Sequence, residues 1–167
     1  LSKKNKTVGI DFSSQMLEIA KRKTNTDSVQ FYEANVTDIP FEGETFDAIT
    51  SVNVLFNLDD PQKMIQEAHR VLKQNGKLIL SSPMREAQVT QQLMKTIVDY
   101  SNEKKLDGSK TEHLLTKNKE MFQKGGMKYL PSKEELKTLF EQNGFIVNRT
   151  ESIYYGMNHL IEGIKVR

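Results

Sequence analysis

Short apolar segments that alternate with amphipathic segments constrain the fold of this chain more than any other feature. A helix between consecutive strands is the connection that parallel strands require. The first half of the chain therefore predicts an α/β fold, a mostly parallel sheet with helices on both faces. Strands are predicted at 7–11, 29–32, 46–51 and 77–82, the last one stopped by Pro83.

Helix boundaries are marked by capping residues. Ser13 or Ser14 begins a helix that runs to about Lys23. Asp60 followed by Pro61 begins a second amphipathic helix, which we expect to end at 75–76, where Asn precedes Gly.

The second half of the chain has a different pattern. A helix of about five turns is predicted around 89–98, and a segment with seven lysines and four acidic residues follows at 102–128. Ser132 then opens a capping box, and its helix leads to two strands joined by a short turn, which must be antiparallel. We expect one domain with a cofactor-binding part (1–83), a helical lid or substrate insertion (84–131) and a terminal helix and hairpin (132–167).

Composition excludes several classes of protein. The 167 residues include no cysteine, which rules out disulfides, zinc-thiolate sites and a cysteine nucleophile. The net charge of +2 does not by itself favour binding to nucleic acid. The apolar runs are far shorter than a membrane span. We expect a cytoplasmic protein. The chain has no initial Met, so we expect it to be the later part of a longer protein.

One acidic residue stands where α/β proteins bind ligands. Asp11 ends the first strand and is followed at once by the helix that starts near Ser13. Small molecules bind outside the carboxyl ends of parallel strands, where a carboxylate can accept hydrogen bonds from a ribose diol. An Asp in this position also serves local turn capping, so both interpretations stand at this point.

Five ordered blocks carry a resemblance to a known family. The blocks are Val8–Ser13 with Met16, Leu17 and Ala20; Asp38–Phe41; Phe46–Ala48; Glu67 with Arg70–Lys73; and Gly76–Leu78. With these blocks the sequence resembles the class I S-adenosylmethionine-dependent methyltransferases, and among them the ubiquinone/menaquinone-biosynthesis type (methyltransferase type 11). The resemblance implies a Rossmann-like sheet with a C-terminal antiparallel hairpin, in which the family's N-terminal strand and helix are missing.

The resemblance implies S-adenosylmethionine as cofactor and assigns roles by position. Asp11 falls where the family binds the ribose hydroxyls. Six cofactor-binding residues are implied: Asp11, with Phe12 and Met16 beside the adenine and ribose, Asn35 and Val36 at the adenine, and Asn53 near the methionine portion.

Two departures from the family pattern limit these roles. The glycine-rich first motif is expected to precede residue 1. Phe56 and Asn57 stand where many relatives have a histidine pair. No residue is assigned as catalytic and no metal ligand is expected; the candidates for a base are His113, His159, Tyr129, Tyr154 and Tyr155.

These observations predict methyl transfer to a small-molecule acceptor by in-line displacement, which requires mainly that the reactants be aligned. A non-catalytic or truncated module with the same fold is the alternative. An RNA methyltransferase that uses the lysine-rich segment is a third possibility, and a nicotinamide-dependent dehydrogenase is disfavoured by the terminal hairpin. The sequence does not indicate an oligomeric state.

Overall fold

The computed structural model describes residues 6–24, 28–83, 99, 128–154 and 158–166. These residues form three α-helices, one short 3₁₀ helix and six strands. The elements are β1 (Thr7–Asp11), α1 (Ser14–Lys23), β2 (Val29–Glu33), β3 (Phe46–Val52), the 3₁₀ helix (Leu55–Asn57), α2 (Pro61–Val71), β4 (Leu72–Pro83), α3 (Lys133–Gln142), β5 (Phe145–Ile153) and β6 (Asn158–Lys165).

Strands β1 and β2 form a parallel pair in which Thr7 lies opposite Val29 and Asp11 opposite Glu33. Helix α1 connects them, and its N-cap is Ser13, whose side chain accepts from the N–H of Met16. The predicted strand–helix–strand unit is therefore confirmed.

The other four strands form one sheet in the order β3-β4-β6-β5. Strand β4 is parallel to β3 and antiparallel to β6, and β6 is antiparallel to β5. The C-terminal hairpin is thus present, and it joins the parallel strands through β6. This mixed α/β architecture confirms the predicted fold class.

The end of helix α2 differs from the prediction. The helix ends at Val71, not at 75–76, and β4 begins at Leu72 and includes Pro83. Leu72 is fully buried and lies opposite Phe46, and the regular pairing with β3 then resumes only at Lys77. Burial of Leu72 in the core overrides the helix propensity of the residues that follow it.

Helix α3 has the predicted capping box. The N–H of Glu135 donates to Oγ of Ser132 at 3.2 Å, and the N–H of Ser132 donates to Oε2 of Glu135 at 2.7 Å. After the helix, Gly144 has φ +82°, a left-handed conformation that favours glycine.

The main core lies between α2, α3 and the four-stranded sheet. Its residues come from both halves of the sequence, so it joins α2 and β4 to α3 and the C-terminal hairpin. The buried residues of this core are Leu55, Met64, Ile65, Ala68, Leu72, Leu78, Leu80, Leu136, Leu139, Phe140, Phe145 and Ile161.

Two of the predicted regions lie outside the residues that the structure describes. The helix predicted at 89–98 and most of the lid at 84–131 fall on residues that the structure does not describe. The division of the chain into cofactor-binding part, lid and terminal part remains a prediction.

Candidate functional site

Asp11 lies at the carboxyl end of β1 and takes part in the turn into α1. Its Oδ1 atom accepts a hydrogen bond of 2.9 Å from the N–H of Ser13. Among the described residues, none donates to the other carboxylate oxygen, Oδ2. The turn interpretation of Asp11 is therefore correct for one oxygen, while the second oxygen is available to a ligand.

Two apolar side chains beside Asp11 face solvent. Phe12 is 81% exposed and Met16 is 54% exposed, although both belong to residue types that are usually buried. An aromatic ring and a thioether next to an available carboxylate oxygen form a surface that can contact the flat face of a base while the carboxylate binds a hydroxyl.

The segment after β2 lies directly beside this corner. The N–H of Ala34 donates to the backbone oxygen of Asp11 at 3.0 Å, so Asn35 follows one residue from that contact. Oδ1 of Asn35 accepts from the N–H of Thr37 at 3.0 Å, which is a local turn. Val36 is half-buried and packs against the main core. The structure therefore brings Asp11, Asn35 and Val36 into one region.

Helix α2 anchors the loop that carries Asn35 and Val36. Oε2 of Glu67 accepts from the N–H of Ile39 at 2.8 Å. The guanidinium of Arg70 donates to both oxygens of Glu67, to the backbone oxygen of Ile39 at 2.8 Å and to that of Phe41 at 2.7 Å. The bonds from Arg70, together with the N–H of Ile39, lower the pKa of Glu67 below its usual value.

The same loop joins the two sheets through aromatic rings. The ring of Phe41 makes edge contacts with Tyr32 of β2 at a centroid distance of 5.2 Å and with Phe46 of β3 at 5.1 Å. The Glu67–Arg70 pair and Phe41 together tie the β1–β2 unit to the four-stranded sheet.

Asn53 directly follows β3, at the carboxyl end of that strand. Its backbone is left-handed, with φ 55°, and its N–H donates to the backbone oxygen of Ser81 at 3.0 Å. Its Oδ1 accepts a hydrogen bond of 2.6 Å from Nδ2 of Asn158, the first residue of β6. Sequence reasoning missed Asn158, because nothing in the local pattern places residue 158 beside residue 53.

The candidate bases occupy different environments. His159 is 3% exposed and lies within β6 opposite Ser82 and Ser152. Tyr129 is partly buried against the core, and Tyr154 is exposed. His113 and Tyr155 lie outside the described residues. These positions assign none of them to catalysis.

Within the described ranges, no three His, Cys, Asp or Glu side chains are grouped so that they could hold a metal ion. The helices of that same part of the chain are also too short or too polar to cross a membrane.

Comparison with known proteins agrees with the observed fold. Residues 1–80 match the family described as a methyltransferase domain. Solved structures of S-adenosylmethionine-dependent methyltransferases from Aquifex aeolicus and Mesorhizobium loti superpose with TM-scores of 0.65 each, at 17% and 14% identity. They cover 95% of this chain in both cases, and 68% and 80% of the respective structures. The resemblance to class I S-adenosylmethionine-dependent methyltransferases, in fold and in sequence, is confirmed.

A more similar relative is the demethylmenaquinone methyltransferase of Staphylococcus aureus. It is 32% identical over 160 residues, which cover 94% of this chain. The aligned part spans 64% of the length of that relative.

Proposed function

We propose that the protein transfers a methyl group from S-adenosylmethionine to a small-molecule acceptor. The observation that carries this proposal is the corner at the end of β1, where Asp11 keeps one carboxylate oxygen available beside an exposed aromatic ring. Parallel strands place ligands at this edge, and a carboxylate there accepts hydrogen bonds from ribose hydroxyls.

The residues of the corner fit the nucleoside part of that cofactor. Oδ2 of Asp11 accepts from the ribose, and Phe12 and Met16 cover the ribose and adenine. Asn35 and Val36 lie at the adenine, where Oδ1 of Asn35 keeps one lone pair beyond the bond from Thr37. Asn53 is assigned to the methionine portion.

The chemistry that the cofactor supplies when bound is an electrophilic methyl group. The protein contributes alignment, and effective molarities of about 10⁵–10⁸ M are available from positioning alone. The Glu67–Arg70 pair supports this role, since it holds the loop of Asn35 and Val36 against α2. The segment 84–131 is assigned to binding of the acceptor.

The class of acceptor is supported by the Staphylococcus aureus relative, whose name specifies demethylmenaquinone. A small aromatic or quinone-like molecule is consistent with that similarity. An RNA acceptor has no such support.

The test is isothermal titration of the full-length protein with S-adenosylhomocysteine, the product form of the cofactor. Asp11→Asn should weaken binding by about ten-fold or more, because it removes a charge-assisted hydrogen bond. Asp47→Asn, at an exposed carboxylate of β3 that pairs with Lys73, is the matched control and should leave the affinity unchanged. Absence of binding by the unmodified protein would refute the proposal; binding without methyl transfer to any acceptor would favour the non-catalytic alternative.

A further inference from the structure

A group of polar residues lies at the edge of the four-stranded sheet where β3 and β4 end and β6 begins. These residues are separate from the corner formed by Asp11, Phe12 and Met16. Asn53 follows β3, Ser81 lies in β4, and Asn158 begins β6. Ser81 is 6% exposed and Asn158 is 7% exposed, so both are withdrawn from solvent. Buried polar groups are normally hydrogen-bonded. The side-chain amide of Asn158 donates to Asn53, whereas Oγ of Ser81 has no partner among the described residues.

Two hydrogen bonds hold Asn53. Its backbone N–H donates to the backbone oxygen of Ser81, and its backbone is left-handed, with φ 55°. Its side-chain oxygen accepts from Nδ2 of Asn158 at 2.6 Å. A non-glycine residue in this conformation is strained, and such residues cluster at ligand sites.

The direction of the side-chain bond determines what Asn53 can offer. An amide has one carbonyl oxygen and one NH₂ group at opposite corners. Because Nδ2 of Asn158 donates to Oδ1 of Asn53, the NH₂ group of Asn53 lies at the other corner of the amide. No described residue accepts a hydrogen bond from this NH₂ group, and Asn53 is an exposed residue. Asn53 is thereby preset as a hydrogen-bond donor.

We infer that Asn158 is a positioning residue that orients Asn53 to donate to the carboxylate of the cofactor's amino-acid portion. This inference rests on the proposed function. It goes beyond it by specifying the chemistry at Asn53: the group bound there is an acceptor oxygen, and an ammonium group, which can only donate, does not fit.

The experiment compares two ligands. S-Adenosylhomocysteine has the amino-acid carboxylate, and 5′-methylthioadenosine has the same nucleoside without it. Asn53→Asp keeps an oxygen facing Asn158 and replaces the outward donor by an acceptor. Asn53→Asp should weaken the binding of S-adenosylhomocysteine by about ten-fold or more. It should change the binding of 5′-methylthioadenosine by less than about two-fold.

Two further variants separate donor loss from added charge. Asn53→Gly removes the donor without a charge, and glycine suits the left-handed backbone, so the variant should fold and show the same selective loss. Asn158→Asp offers only acceptor oxygens at neutral pH, so the amide of Asn53 should turn round. Asn158→Asp should therefore give the same selective loss of S-adenosylhomocysteine binding, although residue 53 is unchanged.

Asn75→Asp is the matched control. Asn75 is also exposed and left-handed, with φ 62°, but it lies where β4 follows α2, outside this polar group. The affinity of the Asn75→Asp variant for both ligands should equal that of the unmodified protein.

Selective loss in the variants of Asn53 and Asn158 supports the inference. Unchanged binding of S-adenosylhomocysteine in Asn53→Gly or in a folded Asn158→Asp variant, or equal losses for both ligands, would overturn it while leaving the proposed function intact. If Asn158→Asp fails to fold, the two variants at residue 53 decide the donor role. Failure of the unmodified protein to bind either ligand would overturn the proposed function and this inference together.

Discussion

Oε2 of Glu67, in the middle of α2, accepts a hydrogen bond of 2.8 Å from the N–H of Ile39, which lies 28 residues earlier in the chain. The side chain of Glu67 is 9% exposed, and Arg70 neutralises its charge from the next turn of the helix. A buried carboxylate thus connects the helix that faces the main core to the loop that follows β2.

Replacement of Glu67 should destabilise the fold. Glu67→Gln puts an NH₂ group where the N–H of Ile39 or the guanidinium of Arg70 needs an acceptor. We expect the free energy of unfolding in urea to fall by about 1–3 kcal/mol, the usual cost of an unsatisfied buried group. Glu18→Gln is the control, since its pair with Arg22 is mostly exposed and should contribute less than about 0.5 kcal/mol. Equal effects of the two substitutions would contradict the role of Glu67.

Stability should decrease in acid through the same carboxylate. The folded-state pKa of Glu67 is lowered, chiefly by its hydrogen bonds to Arg70. The contribution of Glu67 to the free energy of unfolding is therefore complete above its unfolded pKa of about 4.3. This contribution is lost as the pH falls through the lower pKa of the folded state. Unfolding free energies measured from pH 7 to pH 3 should decline less steeply for Glu67→Gln than for the unmodified protein. Parallel curves would show that Glu67 does not contribute.

The aromatic contact between the sheets should also contribute to stability. Phe41→Ala removes two edge contacts and partly buried surface, and we expect a loss of about 2 kcal/mol. Phe12→Ala is the informative comparison, because Phe12 is 81% exposed and its loss should change stability by less than about 0.5 kcal/mol. Under the proposed function, Phe12→Ala should weaken S-adenosylhomocysteine binding. A large drop in melting temperature for Phe12→Ala would contradict its exposed position.

The hairpin strand β6 should not tolerate a side chain at Gly163. A Cβ atom there would lie 2.6 Å from Cδ1 of Phe140 and 3.1 Å from Cβ of Phe145. Both rings belong to the packed core, so Gly163→Ala should destabilise the protein by about 1–3 kcal/mol through overpacking. At the exposed Gly43, a Cβ would meet only the backbone oxygen of Arg70 at 3.3 Å, so Gly43→Ala should have a small effect in the same thermal melt.

The sequence by itself determined the features that depend on hydrogen bonds and patterns between residues close together in the chain. Ser13, Asp60 and Ser132 cap their helices as predicted, because each side chain reaches a backbone N–H three residues later. Alternation of strand and helix likewise predicted the parallel pairs. The position of Asp11 at a strand end and its turn bond to the N–H of Ser13 are also local.

The tertiary structure decided what depends on contacts between distant residues. Helix α2 ends at Val71 because Leu72 enters the core opposite Phe46, and not because of the Asn–Gly pair that follows. Asn158 meets Asn53 across 105 residues, and no periodicity or capping pattern encodes that distance. Local hydrogen bonds can be read from spacing along the chain, whereas the orientation of Asn53 follows from how β3 and β6 come to lie in one sheet.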